Sequence, residues 1–249
     1  MTTAAEKEFL LFTDPYKKFG EKILLKISHT LRVKDLCVDI AKSLNMNQDD
    51  VELSALCGLL HDIGRFEQWK RYGTYNDSQS VDHGDLGAEL LKERDLINAF
   101  SMTNHNTILN AVKNHNKYRV PQTLDDRDKL FTDVTRDADK IDILYLFAEG
   151  FLTSRLHGAA ISESVYQSLM KRENICTRAI KTKADVVAFH LAFVFDLNST
   201  RSFEIVKEND YVDKMIDRSM GETTNAELKT QLENLRKHID RYVADKTRR

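Results

Sequence analysis

The 249-residue sequence predicts an all-α fold, a helical bundle followed by a C-terminal helical extension. Three observations predict it. Only two prolines and nine glycines interrupt the chain, which favours long helices over strand-and-turn architectures. Apolar residues recur at three-and-four spacing in one segment after another. No repeat, low-complexity tract or Pro/Ser linker breaks the succession. The length suits one large domain or a domain with an extension, and buries a core without disulfides. The core is expected over residues 1–160. The extension is expected over 161–249, packed on the core and partly covering its site.

The elements follow in order. The clearest helix is expected to begin near His29, which lies one turn before a stripe of Val33, Leu36, Cys37, Ile40, Ala41 and Leu44. The next is expected to start at a cap on Asp49 or Asp50 and to run from Val51 to Leu60. After Glu52 it is apolar or small almost all round, which marks a central, buried helix. It ends in His61-Asp62-Ile63-Gly64, with Gly64 as the expected stop. Tyr72 to Asp82 is polar and reads as a loop. His83 then opens a helix containing Leu86, Leu90 and Leu91. A helix over Thr107 to Asn114 delivers His115. A long helix after Asp125 carries Phe131, Thr135, Asp139, Ile143 and Leu146 on one face. Further helices are expected near Ser162–Met170, Lys183–Leu197 and Glu227–Val243. The last carries a narrow stripe of Leu228, Leu232, Leu235 and Ile239, which fits either a packed C-terminal helix or a homodimer contact.

Bulk properties narrow the function. A net charge of −2 gives no overall basic field for a stable nucleic-acid partner, while a small phosphorylated substrate remains open. The three cysteines are widely separated, with no paired metal spacing, and Cys37 and Cys57 read as buried, reduced core residues. The N-terminus lacks a basic flank before a long apolar stretch, and no run approaches ~18 apolar residues. The cytoplasm is the expected location, with no membrane partner.

His61 and Asp62 sit at the end of a buried rod, where polar groups are costly without partners. Neighbouring helical residues diverge by about 100°, so the pair reaches two coordination positions. Imidazole and carboxylate without thiolate suit Mn, Fe, Co, Ni, Zn or Mg, one or two ions per chain. A metal so held polarises a phosphoryl oxygen and turns water into hydroxide near neutral pH. Plainer readings stand beside this one: a hydrogen-bonded helix end for the pair, and a core histidine for His29. Asp137 and Asp142 compete with Asp139, and His105 with His115. His157, His190 and His238 read as structural or exposed. Arg65, Lys117, Arg119 and Lys140 are the cationic candidates for phosphate contact, against a solvated-surface alternative. Arg32 reads as orienting helices through a carboxylate. Trp69 and Tyr72 suit either a stacked base or the core.

The strings HTLRV, GLLHDIGRF and DADK, in the order His29, His61-Asp62 and Asp139, resemble the HD superfamily of metal-dependent phosphohydrolases over roughly Lys22 to Phe147. The resemblance implies an HD-domain helical bundle with His29, His61, Asp62 and Asp139 as metal ligands. His83 in DHGDLG and His115 in VKNHNK resemble the extra ligands of two-metal members, among them HD-GYP phosphodiesterases and mixed-valent di-iron oxygenases. In those sites Asp62 would bridge. The chain has no Gly-Tyr-Pro string, and Asn116 stands where some members have a second His. The implied function is hydrolysis of a phosphoester or phosphoanhydride, with a nucleotide-like substrate. Asp62 would position the hydroxide, Arg65 and Lys140 would assist catalysis, and Arg65, Lys117 and Arg119 would bind substrate. The alternatives are a di-iron oxygenase and a non-catalytic, metal-stabilised sensor domain.

Overall fold

The computed structural model describes residues 3–93, 96–101, 103–152 and 158–248, and among them all regular structure is helical. His157 lies outside the described residues. The chain divides into two compact units, Met1–Asp139 and Lys140–Arg249.

The first unit opens with α1 (Ala4–Thr13), which the sequence reading did not assign. A capping box starts it: Thr3 accepts from the Glu6 N–H, and the Glu6 carboxylate accepts from the Thr3 N–H. A 3-10 turn over Asp14–Phe19 leads into α2 (Glu21–Ser43), which places His29 in a helix interior rather than near its start. Next comes α3 (Gln48–Leu60), capped by Asn47, whose side chain accepts from the Asp50 N–H at 2.9 Å. Asp49 and Asp50, expected as caps, instead lie in the first turn, where their charge faces the positive end of the helix. The packing of α2 along α3 depends on Gly58. A Cβ there would stand 2.7 Å from Cys37 Sγ and 3.0 Å from Lys34 Cα.

Gly64 does not stop α3. It lies in the first turn of α4 (Ile63–Tyr72), which begins directly after the His-Asp pair. A Cβ on Gly64 would meet the His83 carbonyl oxygen at 2.2 Å and the Gly87 nitrogen at 2.7 Å. Glycine is therefore needed for the close approach of α4 to α5 (His83–Glu93). The short α6 (Leu96–Phe100), then α7 (His105–Asn114) and α8 (Asp126–Ala148), complete the set, and the unit boundary falls within α8. Leu60, Ile63, Leu91, Ile108 and Phe131 join α3, α4, α5, α7 and α8 in one apolar core. Phe9, Ile23, Leu59 and Phe66 form a second, in which Phe9 and Phe66 meet edge-to-face at 5.8 Å. Cys37 and Cys57 are buried free thiols, and Cys176 is exposed.

The second unit holds α9 (Glu163–Met170), α10 (Lys183–Leu191), α11 (Thr200–Glu208), α12 (Tyr211–Gly221) and α13 (Ala226–Thr247). The helix expected over Lys183–Leu197 ends at Leu191 and tightens to 3-10 over Ala192–Asp196. Thr182 caps α10, and Asp185 completes the capping box and also accepts from the Ser162 N–H and hydroxyl, each at 2.7 Å. Leu228, Leu232, Leu235 and Ile239 are all buried, and α13 packs on α9, α11 and α12. That stripe is an internal contact. Among the described residues no helix is long and apolar enough to cross a membrane.

Candidate metal centre

Four imidazoles and two carboxylates converge in the first unit. From mid-α2, His29 presents Nε2 3.2 Å from Asp139 Oδ1 on α8 and 3.4 Å from Asp62 Oδ2. His61, at the end of α3, presents Nε2 3.6 Å and 3.5 Å from the same two oxygens. On the other side of Asp62, Oδ1 lies 3.4 Å from His83 Nε2 and 3.7 Å from His115 Nε2. One carboxylate thus divides its oxygens between two histidine pairs. His29, His61 and Asp139 form one group of potential ligands, and His61, Asp62 and His115 another, their donor atoms within 4.8 Å of one another. All four histidines and Asp62 are buried. Asp139 stands where the sequence put it, while Asp137 is buried two residues before it and Asp142 falls in the second unit. His105 begins α7 and donates from Nε2 to the Ser101 carbonyl at 2.8 Å.

The donor set fits a cation. His61 and His115 donate their Nδ1–H groups to the Gly58 and Val112 carbonyls, each at 2.7 Å. A carbonyl only accepts, so Nδ1 carries a proton, and in the neutral ring the inward Nε2 keeps its lone pair for a cation. His61 Nε2 lies 3.3 Å from His29 Nε2, and His83 Nε2 lies 3.0 Å from His115 Nε2. Facing lone pairs repel at that distance unless positive charge is shared between them.

The two carboxylates favour positive charge at His61, whether a proton or a metal ion supplies it. Burial opposes charge on His61, yet Asp62 and Asp139 prevail and hold its pKa up to about 10. Burial would raise the Asp62 carboxyl, but Lys26 and the surrounding imidazoles hold it well below the usual range. Asp139 is lowered likewise against burial, by His29 and His61. Burial and Arg65 push His83 down to about 3, against the pull of Asp77. Burial also lowers His115.

Outer partners fix these side chains. His83 donates from Nδ1 to Asp77 Oδ2 at 2.6 Å, which orients the ring and raises its basicity. Arg65 donates to Asp77 Oδ1 at 2.8 Å and to Gln68 at 2.9 Å, and its Nε lies 3.5 Å from Asp62 Oδ1. Gln68 binds Asp77, Ser80 and the Val81 carbonyl, each at 2.9 Å, and so ties down the loop after α4. Asn116 reaches Asp82 at 3.0 Å and Asp77 at 3.3 Å. Buried Arg136 gathers the carbonyls of Asn114, His115 and Lys117 at 3.1, 2.9 and 2.6 Å, closing the end of α7.

The cationic candidates separate. Arg65 lies against Asp62 inside this network. Lys117 pairs with Asp82 at 2.7 Å and Asp85 at 3.1 Å. Arg119 is exposed beside the Tyr118 ring. Lys140 pairs with Asp196 at 3.0 Å within the second unit. The sequence reading missed Lys26, whose ammonium contacts Asp62 Oδ2 directly. Its position one turn before His29 on α2 was the available signal. Asp77, Gln68 and Arg136 were missed too.

Residues 27–144 match the family model described as HD domain, and that span holds all six converging residues. No curated protein and no solved structure matches the chain.

Proposed function

Residues 27–144 belong to the HD-domain superfamily, and on that premise we propose that the protein is a metal-dependent phosphohydrolase acting on a small nucleotide-like phosphoester or phosphoanhydride. One observation carries the reading: Asp62 offers one oxygen to His29 and His61, and the other to His83 and His115. His29, His61, Asp62 and Asp139 would hold one divalent ion, and Asp62, His83 and His115 a second. Ions held there supply Lewis acidity toward a phosphoryl oxygen and lower the pKa of water. Asp62 would belong to both sets of residues and so fix the spacing between the two histidine pairs. Lys26, 20% exposed beside Asp62, is the cation placed to meet an anionic phosphate. Arg65 acts as a positioning residue, because its guanidinium joins Asp62 to the Asp77 that orients His83. Asp77 holds the His83 ring in place, and Arg136 holds the backbone that carries His115.

The test is release of phosphate or pyrophosphate from a nucleotide panel, with protein loaded with Mn, Co or Fe. Turnover should stop on chelation and in Asp62→Ala. Normal turnover in that variant would overturn the reading. Substrate-dependent oxygen uptake by iron-loaded protein, without phosphate release, would replace it with oxidative chemistry.

A further inference from the structure

An aromatic and cationic cluster continues outward from the bridging carboxylate. Lys26, on Asp62, has its ammonium 5.9 Å from the centre of the Tyr75 ring, and the Arg65 guanidinium lies 5.7 Å from that ring. Tyr75 in turn packs against Trp69, with centroids 4.7 Å apart and planes tilted by 42°. Lys22 covers the Trp69 ring at 4.7 Å. Both rings are only half-buried: Trp69 rests on the Phe9–Phe66 core, and Tyr75 stands on the loop after α4. The Tyr75 hydroxyl donates to the Lys22 carbonyl at 3.3 Å, and burial raises its pKa, so it remains a neutral donor. Tyr72, the aromatic weighed from sequence, is instead 46% exposed at the end of α4.

Cations over aromatic faces are held weakly at exposed sites and exchange readily for a flat π-system. Lysine stems are long and flexible, so Lys22 and Lys26 can leave the rings for phosphate oxygens while a base takes their place. We propose that Trp69 and Tyr75 form the subsite for the base of a nucleotide, with Lys22 and Lys26 neutralising its phosphate chain as it runs toward Asp62. The inference rests on the phosphohydrolase reading and names its substrate class as nucleotides, against phosphate chains lacking a base.

Trp69 is the single tryptophan of the chain, so intrinsic emission reports on this place alone. The whole protein is titrated under chelation, so that nothing turns over, with adenosine triphosphate and separately with inorganic tripolyphosphate. Calorimetry measures both affinities. The nucleotide should quench Trp69 saturably and bind about tenfold tighter than tripolyphosphate. Tyr75→Leu should remove that advantage and leave tripolyphosphate binding unchanged. Tyr75→Phe, which keeps the ring and loses the hydroxyl, should bind like the wild type; a merely structural role for the hydroxyl would make it fail. Lys22→Met gives a second variant, and should weaken both ligands. Equal affinities for the two ligands, insensitive to Tyr75→Leu, would overturn the subsite. Phosphate release measured separately keeps the two ideas apart. Tight nucleotide binding without turnover would retain the subsite and sink the hydrolase, whereas turnover of tripolyphosphate as fast as the nucleotide would do the reverse.

Discussion

Replacing Gly64 by alanine would force apart the two helices on which the second histidine pair depends. The added Cβ would stand 2.2 Å from the His83 carbonyl oxygen, about 1.2 Å short of an ordinary 3.4 Å contact, and 2.7 Å from the Gly87 nitrogen. Both obstacles are backbone, so no side chain can rotate away. The neighbouring Ile63 is fully buried, so α4 cannot lift without opening the core. Overpacking of this kind costs about 1–3 kcal/mol. For a chain of this length that lowers Tm by roughly 2–12 °C. The same displacement moves His83 relative to Asp62, so binding at the second group should weaken more than at the first. Differential scanning calorimetry gives Tm, and titration calorimetry with Mn gives the two affinities. Gly221→Ala, where an added Cβ meets nothing, serves as the control and should leave both unchanged. An unaltered Tm and unaltered affinities in Gly64→Ala would refute the close-approach argument.

Three further outcomes are expected. Asp77→Asn removes the carboxylate that receives the His83 Nδ1–H, and should weaken the second metal about 10–100-fold while sparing the first, as read by titration calorimetry. Arg136→Met leaves three carbonyls at the end of α7 without their donor; stability should fall by about 2–4 kcal/mol in denaturant unfolding, with faster amide exchange over residues 111–117. His190 donates to the Val186 carbonyl at 2.7 Å among the rings of Phe147, Phe189 and Phe193, and burial lowers its pKa to about 4. A lowered histidine pKa means that the unfolded chain takes up the proton first. Stability is therefore lost as pH falls from about 6.5 toward 4, by up to about 3 kcal/mol, and is unaffected above that window. The slope of stability against pH should flatten in His190→Leu; equal slopes in variant and wild type would count against this placement of the proton.

Long periodic stretches were legible in the sequence because their burial is nearly continuous. Val51 to Leu60 is apolar almost all round, so α3 was readable as a buried rod ending at His61. The face of α8 likewise brought Asp139 to the same side as its apolar neighbours. Shorter helices left weaker traces: α11 buries only Ser202, Phe203, Ile205 and Val206, too few for a clear period. Gly64 was misread because a glycine after a polar pair looks like a helix stop, whereas its cause is backbone contact with residues 19 and 23 positions later. The outer partners were illegible for the same reason. Asp77 lies in a polar loop and Arg136 on a helix that meets the end of α7 only in three dimensions. Lys26 was within reach, since it shares the face of His29. Tyr75 rather than Tyr72 partners Trp69 because α4 ends at Gly73 with a left-handed turn, which leads the loop back past the helix.

The division of the Asp62 carboxylate between two histidine pairs is the centre of this account, and metal content per chain tests it most directly. Wild type, His29→Ala, His83→Ala and Asp62→Ala are each loaded with Mn, freed of excess ion and measured by elemental analysis. Two ions in the wild type, one in either histidine variant and none retained in Asp62→Ala is the predicted result. One ion in the wild type, unchanged by His83→Ala, would place His83 outside any metal's reach and contradict the bridging role of Asp62.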